Sequence, residues 1–289
     1  MNRRSVHVLF TIDCEPAGRT SQLGPSDWDV GVRALDAFLT TVRNAGFEPT
    51  VFAAPEVVDA HAILFEEVPS TGGEVGLLLS PGSLRDARHR AHVGALRAEQ
   101  QAEVVRHAVD RFADAYGRRP LSVRTTHFSA SDDTFAVLAD AGFLQSSISN
   151  PGRMVPKYHA RWDGAVSGPH YAHAADRLAA GTLPLLEIPV TTDSTQRRDG
   201  IAPELRIENG TVNEWHAPLV RAQLERQFAS DEPWPTLVFV TTTRQPFHDR
   251  TSRVRQTAEA LADLLDSLEA DFDLIPATPS RLHATVASA

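Results

Sequence analysis

Two carboxylates two residues apart, Asp13 and Glu15 in the run TIDCEP, are the groups in this 289-residue chain whose placement first invites chemistry. They close residues 6–13 (VHVLFTID), an apolar and β-branched stretch that reads as a buried parallel strand breaking into a loop at Pro16. Residues two apart in extended chain share a face, so Asp13 and Glu15 are expected to point together and Cys14 to point away. Such a pair at a strand end can act as a base, or as a base beside a metal ligand. The alternative is an acidic surface turn that caps a neighbouring helix. Cys14, the sole cysteine, reads as a small buried apolar residue and not a nucleophile. Among twelve histidines, His127, His159, His170, His173 and His248 lie where loops can reach the same pole. His127 is the catalytic candidate of these, and His170 and His248 are candidates for substrate binding. The spacing within GPHYAH has little specificity, and a single loop histidine is otherwise a solvated bystander.

Positioning these groups falls to alternating strands and helices. Helices are predicted over residues 28–45, 57–67, 96–116, 132–141, 218–228 and 252–268. In the first, Val32, Leu35, Leu39 and Val42 recur at helical spacing, Ser26-Asp27 offers a cap and Gly46 a stop. In the third, Val104, Val105, Ala108, Val109 and Phe112 share one side, and in the last the Leu261, Leu264, Leu265 and Leu268 face is core packing. Strands are expected at 49–53, 74–79, 121–124, 144–149, 185–191, 236–241 and 272–275. Residues 150–182, rich in Gly, Pro, His and Tyr, read as a loop over the active face. Strands that alternate with helices imply parallel pairing through right-handed crossovers. The fold class expected is α/β, a distorted (β/α)7 TIM-like barrel forming a single domain over residues 1–289. An open doubly wound sheet ranks second, because no glycine fingerprint of a dinucleotide turn is present. In either architecture ligands sit at the carboxyl ends of the strands, where Asp13 lies.

A composition of 42% hydrophobic and 22% charged residues is that of a globular protein. The net charge of -9 argues against nucleic acid and anionic lipid as partners, since both require a basic face. No window approaches the roughly 20 apolar residues of a membrane span. The short apolar run after Arg3-Arg4 is not a signal peptide, so a cytoplasmic location is expected. One cysteine permits neither an internal disulfide nor a cysteine-built zinc site. Arg118-Arg119 and Arg197-Arg198 read as solvated turns.

TIDCEP resembles the first motif of the polysaccharide deacetylases, the NodB-homology or carbohydrate esterase family 4 proteins. Four more segments follow in the family's order: GGEVGLLLSPG (72–82), RRPLSVRTTHFS (118–129), LLEIPVT (185–191) and TLVFVTTTR (236–244), with DDTFAVLADAGFLQSSIS (132–149) among them. The resemblance spans residues 6–275 and implies a distorted barrel of about seven strands. It further implies that Asp13 is the catalytic base, that Glu15 is the nearest match, displaced by one residue, for the metal-binding carboxylate, and that Arg124 steadies the base. The family's metal-binding histidines correspond to Leu78, Ser80 and Gly82, and a late-strand histidine that assists as general acid corresponds to Thr242. The family cofactor is a divalent metal such as zinc. A zinc site needs three or four N, S or O ligands, and Asp13 with Glu15 supplies at most two, so no metal ligand set and no cofactor is expected.

The expected function is deacetylase-like hydrolysis of an N-acyl sugar or related small amide, with Asp13 activating water. Without a metal, an oxyanion would be met by backbone amides and hydroxyls from Ser80, Thr241 and Thr242. Two other readings stand beside it: a diverged metal-independent enzyme performing proton transfer, elimination or cyclisation on a small metabolite, and an inactive relative that binds a sugar or a protein. Retention of Asp13, Glu15 and Arg124 speaks against the last, because buried charges cost free energy.

Overall fold

The computed structural model describes residues 3–16, 20–21, 24–25, 28–81, 91–196, 201–208 and 212–289; Ser26-Asp27, Gly82 and Arg197-Arg198 lie outside them. Strand β1 (Arg4–Cys14) is buried from Val6 to Ile12, as an apolar strand covered on both faces must be. Phe10, Ile12 and Cys14 join the main core with Leu35, Phe38 and Leu39. Leu9 points the other way, into a small cluster with Leu186, Ile188, Val238 and Leu282. Thr11 and Asp13 alternate onto the face of Leu9, which carries Asp13 to the mouth of the barrel.

Both edges of β1 are occupied in parallel. Strand β12 (Thr236–Thr242) pairs with it from His7 to Asp13, β4 (Pro49–Ala53) from Phe10 to Cys14, and β13 (Phe272–Pro276) from Arg4 to Val8. Beyond β4 the parallel order continues through β5 (Glu74–Leu79), β6 (Ser122–Thr125) and β7 (Gln145–Ser146) to β11 (Leu186–Glu187). Strand β10 (His170–Tyr171) adds antiparallel to β11. These parallel staves form the expected distorted barrel. The gap between β11 and β12 is bridged by chain that follows β11. The Thr191 N–H donates to Val238 O (3.4 Å) and the Val238 N–H to Thr191 Oγ1 (2.8 Å). Higher up, residues 204–208 run beside β12, with the Val240 N–H on Leu205 O and the Ile207 N–H on Val240 O, both 2.9 Å.

Helices α1 (Asp29–Asn44), α4 (Ala98–Tyr116), α5 (Thr134–Asp140), α6 (Ala217–Ala229) and α7 (Arg253–Leu268) lie close to their predicted positions. The predicted helix over 57–67 is two helices, α2 (Pro55–Ala60) and α3 (Ala62–Ser70), because His61 between them leaves the helical region at φ -136, ψ 37. Helix α8 (Pro279–Ala287) was not expected; Pro279 occupies its first turn and the Thr278 side chain accepts from the Arg281 N–H. The expected strand 185–191 shortens to the two-residue β11, and 144–149 shortens to the two-residue β7 for a specific reason. The Ile148 and Ser149 N–H groups donate to the Glu187 carboxylate at 2.8 and 2.6 Å instead of continuing a ladder. The expected loop 150–182 holds β10 and a small hairpin of β8 (Met154–Val155) and β9 (Ala160–Arg161), and Thr20–Ser21 (β2) pairs with Gly24–Pro25 (β3). Among the described residues no helix is long and apolar enough to cross a membrane.

One glycine is required by close packing under the site. A Cβ at Gly76 in β5 would stand 2.8 Å from Ser122 O and 2.9 Å from the Phe52 ring. Gly76→Ala is therefore expected to cost about 1–3 kcal/mol, the usual penalty of overpacking. Urea unfolding measures it, and an unchanged midpoint would contradict this packing.

Candidate active site

Arg124 is wholly buried at the end of β6, and its donors are met by the barrel interior. Nε donates to Ser147 O (2.9 Å), Nη2 to Ser147 Oγ (2.8 Å), and Nη1 to both Thr11 Oγ1 (2.8 Å) and Asp13 Oδ1 (3.0 Å). Its guanidinium carbon also sits 4.4 Å from the centroid of the Phe52 ring. Asp13 is therefore oriented from beneath by a cation that has little freedom to move, while its side chain keeps 16% exposure toward the pole. Burial pushes the Asp13 pKa above the ordinary value, and the opposing charge and hydrogen bond of Arg124 only partly offset that.

Glu15 lies just past the strand, and the end of β12 holds it. The Thr243 N–H donates to Asp13 O (3.0 Å), the Thr243 hydroxyl to Glu15 O (3.1 Å), and Arg244 Nη2 to Glu15 Oε2 (2.9 Å). Burial raises the Glu15 pKa; Arg244 opposes that and the neighbouring Asp13 adds to it. Between the two carboxylates Cys14 faces the main core, and burial pushes its thiol up to about 12. It is no nucleophile at neutral pH.

Past β6 the backbone turns through two successive left-handed residues, His127 and Phe128, each at φ 60. Neither is glycine, so this conformation costs free energy and persists because the surroundings impose it. The Trp162 indole N–H donates to Phe128 O at 2.8 Å, which helps hold the turn. The turn presents His127 outward, stacked on Tyr158 (4.1 Å between centroids, 11° between planes) and edge-on to His92 at 5.3 Å. Burial, followed by the charges of His92, Arg244, Arg153 and Lys157, lowers the His127 pKa to about 4. Between that value and the unfolded 6.5 the unfolded ring binds more protons than the folded one. The stability this group contributes is thus present above 6.5 and is lost as pH falls through about 4. In His127→Gln the rise of unfolding free energy with pH across that window should flatten, as urea titrations at several pH values would show; an unchanged slope would mean the ring titrates normally.

Besides Arg244, three residues of this pole were missed in the sequence. Residues 204–208 place Glu204 and Arg206 beside β12, and both charges are felt at Asp13. Glu204 accepts from Arg206 Nε and Asn150 Nδ2, and Arg153 Nη1 approaches it at 3.4 Å. Burial alone would raise the Glu204 pKa, but Arg206 and Arg153 hold it below the ordinary value. The available signal was the alternation in ELRIE, where Glu204, Arg206 and Glu208 share one face while Leu205 and Ile207 share the buried other.

The other candidates scatter. Thr242 is in register with Asp13 and its side chain hydrogen-bonds Glu15. Ser80 is half-buried just past β5, at the same pole. Thr241 points away: its hydroxyl donates to Ile207 O at 2.9 Å, so as a substrate-binding hydroxyl it is corrected, alternation along β12 placing only its neighbour toward the mouth. His170 lies on β10 opposite Glu187, with Nδ1 2.8 Å from Gly168 O, and His248 is exposed beside Asp249. Neither is brought to Asp13 by a contact in the structure. The described residues of this pole do not make up a transition-metal ligand set. Leu78 is a buried apolar side chain, Glu15 is bound to Arg244, and among the described residues no group of three or more His, Cys, Asp or Glu side chains is arranged to hold an ion.

This parallel, distorted barrel is the fold of solved structures described as polysaccharide deacetylases. A structure described as a polysaccharide deacetylase, from Mycobacterium smegmatis, superposes with a TM-score of 0.63 at 15% identity, over 99% of this chain and 91% of that one. The PuuE allantoinase gives 0.64 at 13%, over 98% and 90%, and a structure described as a polysaccharide deacetylase, from Pseudomonas aeruginosa PAO1, gives 0.62 at 13%, over 96% and 90%. At such identities the likeness establishes the fold. No family model and no curated protein matches the chain in sequence.

Proposed function

We propose that this chain is a hydrolase of an amide C–N bond in a small N-acyl substrate such as an N-acyl sugar, with Asp13 as general base and no family-type metal. The observation that carries this reading is the buried Arg124–Asp13 pair, 3.0 Å apart, at the open pole of the barrel. Deacetylase and allantoinase, the names of the similar structures, both denote hydrolases, which supports hydrolysis as the reaction class. In the scheme, water attacks the acyl carbon while Asp13 takes its proton. The tetrahedral oxyanion is met by the Arg244 guanidinium, which Glu15 anchors and which keeps 58% exposure at the rim. Collapse breaks the C–N bond, and the proton held by Asp13 goes to the departing nitrogen, giving a carboxylic acid and an amine. Thr242 and Ser80 carry hydroxyls at the same pole.

The test is release of free amine from a panel of N-acetyl sugars and small N-acyl amides. Turnover should persist after chelation and dialysis of the wild type and fall by about 10²–10⁴-fold in Asp13→Asn. Activity that disappears with the chelator and returns with zinc or nickel would overturn the metal-free scheme.

A further inference from the structure

The rim of this pole is richer in cations than the hydrolytic scheme needs. Arg124, Arg153 and Arg206 all turn their guanidinium groups onto one ring, with carbon-to-centroid distances of 5.7, 5.4 and 5.9 Å to Phe128. Lys157 Nζ stands 4.7 Å from the Tyr158 centroid, on the ring that stacks with His127. Each of the neighbouring groups whose charge most affects the His127 ring, His92, Arg244, Arg153 and Lys157, disfavours its protonation, so the field there is positive. In a chain with 28 Lys+Arg against 37 Asp+Glu, this concentration runs against the composition.

Carboxylates partner only part of the cluster. Arg124 has Asp13 at 3.0 Å and Arg244 has Glu15 at 2.9 Å. Arg206 has Glu204, and Glu208 at 3.3 Å. Among the carboxylates of the described residues Arg153 reaches only Glu204, at 3.4 and 3.5 Å, and that carboxylate already accepts from Arg206 and Asn150. Its Nε is buried with no partner. Lys157 is exposed, with its ammonium over the Tyr158 ring. A buried guanidinium donor left unmet is costly, and its planar fork matches a carboxylate in two parallel hydrogen bonds.

We propose that the rim is an anion subsite in which Arg153, supported by Arg206 and Lys157, binds a carboxylate of the substrate, so that the chain acts on N-acylated acids in preference to neutral N-acyl compounds. The reaction named here rests on the hydrolase reading; the subsite does not. The strained turn at His127 and Phe128 then has a role, since it sets the ring around which the guanidinium groups gather.

The test uses the full chain and two probes that differ in charge, N-acetylglycine and its neutral amide N-acetylglycinamide, titrated by ligand-observed NMR at fixed ionic strength. The acid should bind at least about tenfold more tightly, in keeping with a hydrogen-bonded charge pair. In Arg153→Gln the ratio should fall to about threefold or less, while Arg153→Lys should retain part of it. Arg281→Gln, a surface control whose partner is Glu48, should leave the ratio unchanged. Thermal unfolding of each variant shows whether it is folded. Equal binding of the two probes, no binding of the acid, or a preference that survives in folded Arg153→Gln would each overturn the subsite. Asp13→Asn should keep the preference while losing turnover, so failure of the hydrolytic scheme and failure of the subsite give different results.

Discussion

Replacing Asp13 by asparagine should lower kcat for amide hydrolysis by about 10²–10⁴-fold, the range associated with a positioned general base, with little change in KM. The substitution is conservative in shape. The asparagine carbonyl can still accept from Arg124, which keeps its bonds to Ser147 and Thr11, so the barrel interior need not rearrange. What disappears is the capacity to take a proton from water. The pH profile separates this from a merely structural role. A base works deprotonated, so wild-type kcat/KM should rise with pH through the Asp13 pKa, which burial has moved above the ordinary carboxylate value. In the variant that limb should be gone, leaving a flat residual rate. His127, already neutral above about 4, contributes no limb near pH 6.5. A variant that turns over at the wild-type rate, or retains the limb, would show that Asp13 is not the base.

The largest expected change in stability comes from Arg124→Leu, at about 3–5 kcal/mol, the cost of removing one partner from a buried ion pair. The arginine is wholly enclosed, and its loss strands the Asp13 carboxylate and the Ser147 and Thr11 oxygens that now accept from it. Adding Asp13→Asn to Arg124→Leu should restore part of the loss, because an uncharged amide costs less to bury than a carboxylate. The pH dependence has a definite sign. A carboxyl whose folded pKa is raised binds its proton more tightly folded than unfolded, so acidification favours the folded state. Arg124→Leu removes the group that restrains this rise, and its deficit relative to the wild type should narrow as pH falls toward the carboxylate range. Urea unfolding of the single and double variants at several pH values measures all of this. A deficit below about 1 kcal/mol, or a double variant no more stable than Arg124→Leu, would refute the picture of a charge held by a single buried partner.

How much of this was legible in the chain depended on the range over which each feature is encoded. Alternation of buried strand and amphipathic helix is local, so the barrel, the carboxyl pole and the place of Asp13 on it could be read directly; so could Cys14 turning to the core, since that follows from the period of two along β1. Side-chain competition for backbone donors is not local. Nothing in 144–149 announces that Glu187, roughly forty residues on, takes the Ile148 and Ser149 N–H groups and cuts β7 short.

The site divides along the same line. The residue types and the strand-end position of Asp13 came from the sequence, and the resemblance of its motifs singled out Arg124. Only the tertiary structure decided which long-range partners complete them: Arg244 on Glu15, Glu204 and Arg206 delivered by the chain that bridges β11 to β12, and Arg153 brought to Glu204 from the segment between β7 and β8. Periodicity determines which way a side chain faces on its own element, whereas the distance between charges carried by elements far apart in sequence exists only once the barrel has curled.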